Sequence, residues 1–140
     1  MNDTIFALSS GAPPAGIAVV RVSGPQARGA LERLAHRVPP PRQASLALLT
    51  DPQDGAPLDR ALILWLPGPG TVTGEDLVEL HCHGGRAVVA AVEAALAMMP
   101  GLRRAEAGEF TRRAFLNGRM DLNAVEGLSD LLAAETQQQR

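Results

Sequence analysis

The segment Gly108-Glu109-Phe110-Thr111-Arg112-Arg113-Ala114-Phe115-Leu116-Asn117-Gly118-Arg119 constrains the fold more than any other part of the chain. There is no tyrosine, one tryptophan and three phenylalanines, and two of those phenylalanines lie here among three arginines. The fold must give Phe110 and Phe115 a core to anchor on while the guanidinium groups stay near the surface. Planar, permanently charged guanidinium forks suit carboxylate or phosphate. The segment therefore reads as an anchored connection that holds an anionic ligand or a partner and hands over to a helix. The plainer reading is a surface connection with solvated arginines.

The rest of the chain is cut by glycine and proline into short units. Thr4 to Leu8 reads as a strand, followed by the turn Gly11-Ala12-Pro13-Pro14-Ala15-Gly16. Ile17 to Val22 is a β-branched strand. Ser23-Gly24-Pro25 starts a helix with proline at its first position, and Pro39-Pro40-Pro41 stops it. Ser45 to Leu49 and Ala61 to Leu66 form a hairpin, and Asp76 to Cys82 is a further strand. Gly84-Gly85 leads into a helix from Arg86 to Met99, which Pro100-Gly101 ends. A last helix begins near Asp121 or Asn123, with Leu122, Val125, Leu128 and Leu132 on its apolar face. It lacks both a stop signal and a partner, which reads as truncation. The order of elements predicts an α+β fold, a mixed β-sheet with helices packed on it.

Bulk properties narrow the function. A length of 140 residues suits one domain with a short appendage. The net charge of −2 argues against a nucleic-acid binder that works by bulk field. The single Cys82 permits no internal disulfide and fits a reducing compartment. The acidic opening Met1-Asn2-Asp3 carries no signal-peptide pattern, and no apolar run reaches the ~18 residues of a membrane span. The expectation is a cytoplasmic protein with no membrane partner. Lysine is absent, so a standard phosphate-binding loop is excluded from these residues.

Two strands carry charges that a purely structural strand does not need. Alternation places Val78, Leu80 and Cys82 on one face of the Asp76–His83 strand, and Leu77, Glu79, His81 and His83 on the other. Arg21 is the lone charge in Ile17 to Val22, costly unless paired, ligand-bound or at an exposed strand end. Its structural role would be an ion pair with Glu79 or Asp76. His81 and His83 have the spacing of two zinc ligands, but a third is hard to find: His36 falls in a helix and Cys82 points the other way. Free amides at Gly84-Gly85 offer a weak anion site.

Taken in order, these residues resemble a known family. Asp3-Thr4-Ile5, Val20-Arg21-Val22-Ser23-Gly24, Thr73-Gly74-Glu75-Asp76-Leu77-Val78-Glu79, His83-Gly84-Gly85, the 108–119 segment and Asp121-Leu122 with Glu126 resemble the N-terminal portion of the MnmE (TrmE) family of tRNA-modification GTPases. The resemblance covers the whole chain. It implies a domain like the folate-binding domain of glycine-cleavage T-protein over residues 1–119, which binds a 5-formyl-tetrahydrofolate-type cofactor and forms a homodimer. Residues 120–140 would then be the first helix of a truncated helical domain. GTP, Mg and K would belong to a G domain outside this chain, so these residues alone should have no GTPase activity. The implied partners are an FAD-dependent protein and tRNA, whose wobble uridine is modified at C5.

Carried over by position, the family's folate contacts fall on Arg21, Glu79 and Arg119. A carboxylate such as Glu79 can accept the adjacent N–H donors of a pterin, and Arg21 or Arg119 can clamp the carboxylates of the cofactor's glutamate tail. Three positions depart from the family pattern. Arg119 stands where lysine is usual, Val72 replaces an aromatic, and the 11–16 turn differs from the usual Pro-Pro-Gly-x-Gly-Gly. The alternatives are an assembly module without cofactor and a small metal-dependent hydrolase using His81 and His83.

Overall fold

A computed structural model describes residues 3–9 and 16–120. The expected 11–16 turn, apart from Gly16, and the expected C-terminal helix lie outside them. Six strands form one mixed sheet: β1 (Thr4–Leu8), β2 (Ile17–Ser23), β3 (Ser45–Thr50), β4 (Pro57–Leu66), β5 (Leu77–His83) and β6 (Leu102–Arg104). Their order is β3-β4-β5-β2-β1-β6, antiparallel except where β6 runs parallel to β1 at one edge. The helices are α1 (Ala27–Ala35), α2 (Arg86–Ala97) and α3 (Glu109–Leu116). The fold is α+β, as the order of elements predicts. No helix among the described residues is long and apolar enough to cross a membrane.

The apolar strand faces account for the layering. Val20 and Val22 of β2, Ile63 and Trp65 of β4, and Val78, Leu80 and Cys82 of β5 point to one side. There they meet Leu31 and Leu34 of α1 and Val92 and Leu96 of α2 in a single core. Leu31 and Leu34 are fully buried, so truncating either to alanine costs about 2–5 kcal/mol. The core thus fills one face of the sheet and leaves much of the other uncovered.

Several boundaries differ from expectation for local reasons. Helix α1 begins at Ala27 rather than Pro25, because Gly24 to Gln26 form a turn in which the Ala27 N–H donates to the Gly24 carbonyl. A side chain on Gly24 would lie 2.7 Å from Thr4 Cα. The helix ends before the prolines, at His36, whose φ of 64° breaks the repeat. Strand β4 starts four residues early, at Pro57.

The 108–119 segment differs most. It is a helix, not a connection, and its inward side is charged. Glu109, Arg113 and Ala114 are buried while Phe110 and Phe115 are only half-buried. Arg113 donates to Asp3 Oδ1 (3.1 Å), to the Asp3 carbonyl (3.0 Å), to both Glu75 oxygens (3.2 Å) and to Glu109 Oε2 (3.3 Å). Arg103 of β6 donates to Asp3 and Glu109 from the other side. Hydrogen bonding from Arg103 is the main cause that holds the Glu109 carboxyl down at about 2, with burial opposing it and the Glu106 N–H and Arg113 assisting.

Removal of Arg113 leaves Glu75 without a cationic partner and the buried Glu109 with one guanidinium fewer, so Arg113→Ala should lower unfolding free energy by about 3 kcal/mol in urea denaturation. The depressed Glu109 contributes stability that is present above its ordinary value of 4.5 and is lost as pH falls from there toward 2. Because Arg103 is 41% exposed, the loss is screened to ~1–2 kcal/mol. Thermal melts between pH 6 and 2.5 should show that loss in the wild type and a smaller one in Glu109→Gln.

Candidate functional site

Antiparallel pairing of β2 with β5 sets Arg21 directly opposite Glu79. On the uncovered face, Arg21 Nε donates to Glu79 Oε2 at 3.0 Å, and Glu79 Oε1 lies 2.9 Å from His81 Nε2, two residues along the same strand. Each carboxylate oxygen is thus held from one side. Glu79 keeps 15% side-chain exposure, Arg21 34% and His81 28%, so the group is sheltered yet reachable. Partial burial works to raise the Glu79 carboxyl, but the His81 hydrogen bond and the Arg21 charge and hydrogen bond outweigh it and hold the group below its ordinary value. An ionised carboxylate that stays partly exposed can accept from adjacent N–H groups.

A wall rises beside this pair. The loop from Pro67 to Asp76 folds back over the start of β5, where Ser23 Oγ meets Thr73 Oγ1 and donates to Glu75 Oε1, both at 2.8 Å. Gly68 receives no side chain of its own there: a Cβ would sit 2.8 Å from the Glu75 backbone. Helix α3 braces the loop from outside. Asn117 Nδ2 donates to the Thr73 carbonyl (2.9 Å) and Arg119 Nε to the Thr71 carbonyl (2.8 Å). Gly74, at φ 80°, lies so close that a Cβ would meet Asn117 Cβ at 2.6 Å.

Of the three residues singled out from the sequence, the structure joins Arg21 and Glu79 and sets Arg119 apart from them, in the wall. The ion pair anticipated for Arg21 forms with Glu79, not Asp76, whose carboxylate accepts from the Gly68 N–H. His81 and His83 turn to different carboxylates: His81 to Glu79, and His83 Nδ1 to Asp59 Oδ1 at 2.8 Å. Among the described residues no group of three or more His, Cys, Asp or Glu side chains is arranged to hold a metal ion. Burial, with Asp59 adding to it, pushes the Cys82 thiol up to about 12.

Sequence reasoning missed the residues that build the wall. Arg113, Glu109 and Glu75 fall in the segments quoted for the family resemblance, but only the helical fold of 109–116 shows that they face one another. The sequence reads His81 as a satisfied surface or cleft histidine, or less readily as one of two zinc ligands; the structure sets it against Glu79.

Comparison with known proteins follows from this geometry. The family model described as GTP-binding protein TrmE N-terminus matches residues 4–119. The chain is 69% identical over 140 residues to a tRNA modification GTPase MnmE of Novosphingobium aromaticivorans, covering 100% of this chain and 32% of that protein. It is 74% identical over 121 residues to the protein of the same name in Sphingopyxis alaskensis, covering 86% of this chain and 29% of that one. It is 61% identical over 139 residues to the human mitochondrial 5-taurinomethyluridine-[tRNA] synthase subunit GTPB3, covering 98% of this chain and 28% of that protein. The chain therefore spans about a third of the length of the relatives it matches, 32% for the first of them.

In Arg21→Ala, two of the influences that lower the Glu79 carboxyl vanish while burial stays. Carboxyl carbon NMR should therefore place the Glu79 titration midpoint higher in the variant than in the wild type. An unmoved midpoint would mean that the pair is broken in solution.

Proposed function

The chain belongs to the TrmE N-terminus family of GTP-binding proteins, and on that footing we propose that it is the folate-binding and dimer-forming portion of a cytoplasmic GTPase that modifies the wobble uridine of tRNA at C5. The observation that carries the folate reading is the Glu79 carboxylate, ionised, held from both sides and open to the uncovered sheet face. A reduced pterin presents adjacent N–H donors, and a carboxylate accepts such a pair in a fixed, two-point geometry. Arg21 keeps the carboxylate charged and oriented. Arg119 contributes by fixing the Thr71–Gly74 loop beside the cofactor or by meeting the cofactor itself. The bound 5-formyl-tetrahydrofolate-type cofactor supplies the one-carbon unit.

The remaining roles belong to the rest of such a protein. GTP hydrolysis, with its Mg and K, is assigned to a G domain beyond these residues. An FAD-dependent partner protein and tRNA complete the reaction. Homodimer formation has support in the β3 edge, where Leu46 and Leu48 are 56% and 45% exposed. That same edge favours a second reading, in which the domain only assembles subunits and binds no folate.

Calorimetric titration of 5-formyl-tetrahydrofolate into the protein at its full natural length tests the choice. Wild type and Arg28→Ala, a change on the exposed side of α1, should bind alike. Glu79→Ala should lose at least tenfold in affinity, because a charged acceptor for two hydrogen bonds is worth about 1.5–3 kcal/mol. Equal binding by all three would remove Glu79 from the site. No binding by any of them, with the dimer intact, would establish the assembly reading.

A further inference from the structure

Arg21 and Glu79 do not meet in the way a guanidinium and a carboxylate pair most readily. Left to themselves the two groups form a fork, with two parallel N–H···O bonds that take both oxygens. Here Arg21 engages Oε2 through Nε at 3.0 Å, while Oε1 is engaged by His81 Nε2 at 2.9 Å. The two donors reach the carboxylate from different directions. Arg21 comes from directly across on β2, and His81 from two residues along β5.

The sheet fixes where the His81 ring can stand. Its cross-strand partners are Val19 on β2 and Leu62 on β4, aliphatic residues that offer the ring packing and no competing side-chain acceptor. His83, the next residue on this face, is occupied with Asp59. The Glu79 carboxyl stays below its ordinary value and is ionised. An ionised carboxylate only accepts, so the shared proton sits on His81 Nε2. To turn both oxygens onto Arg21, Glu79 would have to break this bond.

We propose that His81 is a positioning residue for the ligand at Glu79: its Nε2–H keeps the carboxylate from closing onto Arg21 as a fork. The proposal rests on the folate reading, in which a pterin offers two adjacent N–H donors. Such a pair needs the two lone pairs that lie side by side on the inner edge of a carboxylate. A fork with Arg21 takes those same two, so the fork and the two-point bond to the ligand exclude each other. One donor on each oxygen spans neither pair. On this account Arg21 supplies the charge that keeps Glu79 ionised, and His81 stops that same charge from capturing it.

The test uses the protein at its full natural length. His81→Phe keeps a ring between Val19 and Leu62 but has no donor, and His81→Gln restores a donor on a different side chain. Calorimetric titration compares 5-formyl-tetrahydrofolate with its analogue bearing methyl in place of the 2-amino group, which leaves one N–H of the pair. Wild type should prefer the two-donor ligand about tenfold. His81→Phe should lose most of that preference through weaker binding of the two-donor ligand, and His81→Gln should recover part of it. Guanidinium NMR on the ligand-free protein reads the cause, because the Arg21 Nη protons should exchange more slowly in His81→Phe as the fork forms. The positioning role is overturned if His81→Phe keeps the wild-type preference, if it weakens both ligands equally, or if Arg21 Nη exchange is unchanged. Failure of the wild type to bind either ligand, or to prefer the two-donor one, would overturn the folate reading at Glu79 and the role of His81 with it.

Discussion

The Arg113 guanidinium joins three parts of the chain that lie far apart in sequence. It reaches Asp3 ahead of β1, Glu75 in the loop before β5, and Glu109 one turn back on its own helix. Each carboxylate balances a charge that would be expensive to bury alone, and Arg113 is only 8% exposed in its side chain. Without this cluster, α3 would have little to dock with, since its aromatic residues are only half-buried. Without α3, the Asn117 and Arg119 bonds to the 71–74 loop would lose their anchor. The wall beside Glu79 is thus held mainly by polar contacts, while the sheet beneath it is held by apolar packing.

That division explains how much of the molecule was legible in the sequence. Strands β2 and β5 could be read because their apolar residues alternate and glycine or proline marks their ends. Helix α2 could be read because Val89, Val92 and Leu96 repeat at helical spacing. Helix α3 could not, because the side it buries is Glu109 and Arg113, residue types that pattern reading assigns to solvent. Strand β6 is Leu-Arg-Arg, three residues without alternation, and is a strand only because β1 offers a free edge beside it.

The candidate site was legible to a similar depth. Arg21 and Glu79 stood out as charges in apolar strands, and antiparallel register places them opposite each other, which periodicity alone cannot supply. Arg119 was carried by resemblance, and no pattern in the sequence shows that its guanidinium turns to a backbone carbonyl.

The parallel pairing of β6 with β1 bears on how such a chain is made. Arg103 meets Asp3 across 100 residues of sequence, and β1 sits between β2 and β6 rather than at the sheet's edge. On a ribosome, β1 can pair with β2 early, but its second edge stays unpaired until Arg104 has emerged. Through that interval the nascent chain presents an open row of strand amides and carbonyls, with the fully buried Ile5 and Phe6 of the finished fold beside it. Among the described residues the last strand to be synthesised is the one that closes this edge, so premature termination before residue 102 would yield a sticky intermediate rather than a smaller stable domain.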